Sequence, residues 1–169
     1  WAFRNPQEWA NLCKGIKEDL MRKERDPEKF TLGLWPACVI DNGTDDLDAM
    51  LEHPLCKWFT AVWGRLQHGL WKQEGLNLIF PEDWHYAMKL RPFEISAAEV
   101  DRILAATTRA HVEKSLIIGT VDEVAEEMYQ LVEGGATYLA PLDLSAIFLP
   151  QHRHSFSDLT MLPVASGSG

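Results

Sequence analysis

The sequence predicts an α/β fold in which helices alternate with the strands of a parallel sheet. The clearest evidence lies in the last third of the chain, where Thr120 and Glu123 have the spacing of a capping box ahead of an apolar-periodic segment. Gly134-Gly135 is suited to end that helix, and the run from Thr137 to Leu142 is short, apolar and rich in β-formers. Together these features predict one complete helix followed by a strand that is buried on both faces.

The front of the chain predicts a helix and a strand. Asn5 is suited to cap a helix that begins at Pro6, because its side chain accepts from free backbone N–H groups. The run from Phe30 to Ile40 predicts a strand with a bulge or break at Pro36, since proline donates no ladder hydrogen bond. The residues Asp41-Asn42-Gly43 predict the turn that follows.

Two helices and a long insertion are predicted in the middle of the chain. Thr44 is expected to open the second helix, whose first turn is acidic, as the helix dipole favours. Residues from about 53 to 92 lose this periodicity and are rich in tryptophan, which predicts an insertion. Ser96 is expected to cap a third helix that extends to His111, and a short strand from Leu116 to Ile118 precedes the capping box.

This order of elements contains too few strong strands for a complete eight-stranded barrel. We therefore expect residues 1–150 to form the C-terminal portion of a (β/α)8 TIM barrel with right-handed crossovers and a Trp-rich insertion. The chain begins at Trp1 rather than Met and ends in Ser166-Gly167-Ser168-Gly169, a composition typical of flexible linkers. We accordingly expect a piece of a longer protein, with a flexible tail at residues 151–169.

Composition excludes several classes of function. The net charge of −9 argues against nucleic-acid binding, and no window approaches the length and hydropathy of a membrane span. The three cysteines, Cys13, Cys38 and Cys56, form no CxxC pair, which is typical of reduced, packed thiols in a cytoplasmic protein. The sequence contains neither a GxGxxG nor a GxxxxGK[ST] motif, and it has no GxSxG elbow.

Several segments resemble one enzyme family in their order and spacing. Residues 118–127, followed by Gly135-Ala136-Thr137, resemble the C-terminal signature of the luciferase-like oxidoreductases, which are TIM-barrel enzymes that use FMN or a deazaflavin. Residues 51–54 and the insertion resemble the deazaflavin-dependent branch, notably its phthiodiolone ketoreductase-like and glucose-6-phosphate dehydrogenase-like members. Residues 5–9, 25–27 and 30–31 agree, so the resemblance covers nearly all of residues 1–145.

The resemblance implies hydride transfer between a deazaflavin coenzyme and a small-molecule substrate of the alcohol/ketone type. An FMN-dependent monooxygenase of the same superfamily and a non-catalytic half-barrel fragment are the alternatives. The flavin-facing histidine and most cofactor contacts of the family are expected upstream of Trp1, so no catalytic residue is assigned here. A homodimer is the candidate assembly.

The resemblance also nominates binding residues at the front of the chain. Residues 1–4 correspond to a loop after a barrel strand, on the face where these enzymes bind their ligands. Arg4 matches a basic residue that contacts the substrate phosphate in the dehydrogenase-like members, and Trp1 lies in the same loop. The alternative is an exposed arginine beside a helix start.

Aromatic residues supply the remaining candidates. Trp84, His85 and His68 lie in the insertion, whose aromatic side chains predict either a pocket for a bulky substrate or a self-packed satellite core. Trp35 is expected to pack inside the barrel, with contact to a flavin as the alternative. No metal site is predicted, because His68 and His85 lack ligand spacing and the pair His152 and His154 has no nearby carboxylate or thiol.

Overall fold

The computed structural model describes residues 5–63, 68–91 and 93–145, and it has the predicted α/β alternation. The eight α-helices described are α1 (Pro6–Arg22), α2 (Leu47–Glu52), α3 (Pro54–Trp63), α4 (His68–Gln73), α5 (Tyr86–Lys89), α6 (Ala97–Ala106), α7 (Arg109–Ser115) and α8 (Val121–Glu133). The described strands are β1 (Gly33–Leu34), β2 (Ala37–Ile40), β3 (Ile117–Gly119), β4 (Tyr138–Leu139) and β5 (Leu142–Asp143), and a short 3-10 helix spans Pro27–Lys29.

Three of the predicted helix starts are confirmed by their hydrogen bonds. The Asn5 side chain accepts from the backbone N–H groups of Gln7 and Glu8 at 2.9 and 3.1 Å. The hydroxyl of Ser96 accepts from the backbone of residue 99 at 3.2 Å. In the capping box of α8, the Thr120 backbone N–H donates to the Glu123 carboxylate at 2.8 Å. These short-range bonds fix where the helices begin.

Two helix boundaries differ from the prediction. The second helix begins at Leu47 rather than Thr44, because the Asn42 side chain accepts from the Thr44 backbone and holds this segment in a turn. The third helix ends at Ala106, so the helix predicted to reach His111 is two helices, α6 and α7. The break lies at Thr107 and Thr108, each in an extended backbone conformation.

The strand predicted over residues 30–40 is divided at Pro36, as expected. Strand β1 pairs with β4 and β2 pairs with β5, both in parallel and with the same offset, so Pro36 lies opposite Pro141. Backbone bonds run on through the interruption: Ala140 donates to the Leu34 carbonyl and Leu142 to the Pro36 carbonyl, each at 2.9 Å. The ladder is broken because Pro36 has no N–H to return.

The sheet is parallel, as predicted, and helices pack on both of its faces. Strand β2 lies between β3 and β5. Helices α1 and α8 pack on one face through Trp9 and Leu131, against Leu34 and Cys38. Helices α2, α3 and α7 pack on the opposite face, where Val39 lies among their apolar side chains. The described residues therefore form helix, sheet and helix layers.

The strand order differs from the order expected for part of a barrel. In a (β/α)8 barrel each strand lies between the strands that precede and follow it in the chain. Among the described strands β5 pairs with β2, so β2 is central and β3 and β5 lie on either side of it. Right-handed crossovers that place helices on opposite faces of a sheet produce this order.

The last strand is less buried than predicted. The side chains of Tyr138 and Leu142 are 57% and 37% exposed, whereas Asp143 and Leu144 are buried. The prediction of a strand buried on both faces is therefore wrong for residues 137–142, because the buried residues begin only at Asp143. The reason is that the covering helices reach only the carboxyl-end half of that sheet face, around Val39 and Leu144.

Candidate functional site

The predicted binding residues lie in two separate parts of the fold. Trp35 lies on the sheet, in the short link between β1 and β2. His68 begins α4, and Trp84 and His85 precede α5, so all three lie within residues 53–92, the segment predicted to be an insertion. Trp1 and Arg4 lie outside the residues that the structure describes.

An uncovered apolar surface lies on the sheet, and we call it the open face: Trp35, Tyr138 and Leu142. Register places Tyr138 opposite Gly33 and Leu142 opposite Ala37, so the two side chains point to the same side of the sheet, on either side of the Trp35 position. The side chain of Trp35 is 59% exposed. The expectation that Trp35 packs in an interior layer is thus wrong for the described structure, because no described helix covers this half of the face.

Glycine shapes one edge of the open face. A Cβ atom built on Gly33 would lie 3.4 Å from Cδ1 of Tyr138, so the tyrosine ring lies over the glycine. Tyr138 and Trp35 therefore present two aromatic side chains above neighbouring strands. Such a surface is suited to contact with a flat, partly apolar group.

Most aromatic residues of the predicted insertion form a satellite core, which confirms that alternative for them. Trp71 is fully buried, donates its indole N–H to the Ser115 hydroxyl at 3.1 Å, and meets the His111 ring edge-on at 4.8 Å. Phe80 and Trp84 stack at a centroid distance of 3.8 Å. The contacts of Trp71 hold α4 against α7.

Each candidate histidine of the insertion has a structural contact. The Nδ1 atom of His85 accepts from the Ala87 backbone N–H at 3.2 Å, at the start of α5. The His68 ring lies 5.8 Å from the Trp71 ring, at a tilt of 41°. The structure thus places His68 and Trp84 on one cluster through Trp71 and Phe80, whereas Trp35 lies on the sheet.

His111 is a buried residue whose role the sequence prediction missed. Its Nδ1 accepts from the Thr108 backbone N–H at 3.1 Å, so the ring proton is on Nε2, which donates to the Asn77 carbonyl at 2.9 Å. The histidine therefore fastens the loop after α4 to α7. The available signal was the three-residue spacing from Thr108, which is the spacing of a capping box.

Several hydrogen bonds join the carboxyl ends of β2, β3 and β5. This end of an open α/β sheet commonly binds ligands. The Ser145 hydroxyl accepts from the Ile40 backbone N–H at 2.8 Å, and the buried Asp143 carboxylate accepts from the Ser145 backbone at 2.9 Å. The Asp41 backbone donates to the Gly119 carbonyl at 2.8 Å. These bonds are directed within the sheet and fix the ends of its strands.

The described cysteines are buried and are poor nucleophiles at neutral pH. Burial, together with the charge of the neighbouring Asp143 carboxylate, raises the pKa of the Cys38 thiol to about 12. Burial likewise raises the pKa of Cys56 to about 12, despite the opposing charge of Arg109. Burial raises the pKa of Cys13 as well. Thiols held in the neutral form are suited to packing rather than to catalysis.

Comparison with known proteins gives no relative: no protein-family model, curated protein or solved structure matches the chain. Within residues 5–63, 68–91 and 93–145, no helix has the length and apolar character needed to cross a membrane. In the same ranges, no group of three or more His, Cys, Asp or Glu side chains could hold a metal ion.

Proposed function

We propose that the chain belongs to an oxidoreductase of the luciferase-like superfamily, which transfers a hydride between a deazaflavin coenzyme and an alcohol/ketone-type substrate. The family assignment depends on the sequence resemblance over residues 1–145. The observation that supports a binding role is the open face, where Trp35 and Tyr138 are exposed on a parallel sheet whose opposite face is covered by α1 and α8.

In this proposal the chain is the C-terminal portion of a TIM barrel, and the open face points into the barrel. Helices cover the outer face of such a barrel, which agrees with helices α1 and α8 on one face, whereas helices α2, α3 and α7 on part of the other face depart from that arrangement. The position of β5 beside β2 departs from the barrel order. The barrel assignment therefore depends on the sequence resemblance over residues 1–145.

The residues of the open face are suited to hold a flat ring system. Trp35 and Tyr138 offer exposed aromatic side chains, and Leu142 in β5 extends the apolar area on the same side of the sheet. A bound flavin or deazaflavin would supply the hydride chemistry, while the protein orients ring and substrate and excludes water. The cysteines take no part, because their raised pKa values keep them neutral.

The test is a titration with FMN and, separately, with a deazaflavin, in which cofactor absorbance and fluorescence report binding. We expect the chain, or the longer protein that contains it, to bind a deazaflavin, and we expect Trp35→Leu to weaken binding about 2- to 12-fold, since an aromatic contact contributes about 0.5–1.5 kcal/mol. Tyr129→Leu is the matched control, because Tyr129 is 51% exposed but lies on α8, on the other side of the sheet.

The outcomes separate the proposal from its alternatives. Binding of FMN alone would support the FMN-dependent monooxygenase. Binding of neither cofactor would refute the oxidoreductase and favour a non-catalytic unit whose open face contacts another protein. Equal loss of binding in the Trp35 and Tyr129 variants would show that the open face is not the cofactor site.

A further inference from the structure

We draw no further inference here: the strongest candidate, the open face of Trp35, Tyr138 and Leu142 on the sheet, belongs to the site already described, and nothing in the structure shows what else would cover it.

Discussion

Thr60 offers a direct test of the packing of α3. Its side chain is 1% exposed, and its hydroxyl has no hydrogen-bond partner among the described residues. A buried hydroxyl without a partner loses its bonds to water on folding, at a cost of about 1–3 kcal/mol. Thr60→Val replaces the hydroxyl by a methyl group of similar size at nearly equal helix propensity, so we expect the free energy of unfolding to rise by about 1 kcal/mol.

Thr107→Val is the matched control. Thr107 is also 1% exposed, but its hydroxyl donates to the Ile103 carbonyl at 2.8 Å. Valine removes that bond, and we expect a loss of about 0.5–1.5 kcal/mol. The loss falls at the lower end of this range, because the Ile103 carbonyl still accepts from the Thr107 backbone N–H at 3.0 Å.

Urea unfolding of the wild type and both variants measures the two changes, provided that the dependence on denaturant is the same in all three. Thermal unfolding gives an independent measure, since about 1 kcal/mol shifts the midpoint by roughly 2–4 °C for a domain of this size. If Thr60→Val destabilised the protein as much as Thr107→Val does, the Thr60 hydroxyl would have a hydrogen-bond partner and the expected gain would be refuted.

Two further predictions concern backbone strain and pH. Gly135→Ala is expected to destabilise the protein by more than about 1 kcal/mol, because Gly135 has a φ of 108° and a Cβ there would lie 3.1 Å from Cys13. Gly15 lies in the interior of α1, and a Cβ built there would have no other atom within 4 Å, so Gly15→Ala should raise the free energy of unfolding by up to about 1 kcal/mol. Urea unfolding that gave a change of the same sign for both glycine variants would contradict this expectation. The pKa values of about 12 for Cys38 and Cys56 lie above those of the unfolded thiols, so the folded state holds protons that the unfolded state releases. The stability that the two neutral thiols contribute should therefore be fully present below about pH 9 and be lost towards pH 12, by at most about 1.4 kcal/mol per pH unit for each thiol. Urea unfolding across that pH range measures this loss. Cys38→Ala should reduce that slope, and an unchanged slope would show that the thiol does not titrate differently in the two states.

The features predicted correctly from sequence depend on residues close together in the chain. The caps at Asn5, Ser96 and Thr120 each require a side chain and a backbone N–H two or three residues later. The break at Pro36 follows from the chemistry of proline itself. The same logic extends to Thr108 and His111, where the capping spacing was present but the residue at its end was histidine rather than glutamate.

The features that were missed depend on distant parts of the chain. The apolar run that contains Tyr138 and Leu142 is compatible with burial on both faces, but its burial depends on which helices reach it. Likewise, the pairing of β5 with β2 joins residues far apart in the sequence, and local periodicity does not specify it. Sequence alone therefore predicted most of the elements outside residues 53–92, but not helices α3, α4 and α5, the strand order or the exposed face.

The same distinction decides where a ligand is best sought. Aromatic composition made the insertion the richest candidate, yet Trp71 and Phe80 are buried there in a core without a described sheet, in which aromatics supply much of the apolar area. Trp35 was expected in the interior and is exposed. An exposed tryptophan and an exposed tyrosine on the same side of a sheet can contact a flat ligand, whereas the stacked rings of Phe80 and Trp84 must first be separated. The open face is therefore the better candidate site, although the insertion contains more aromatic residues.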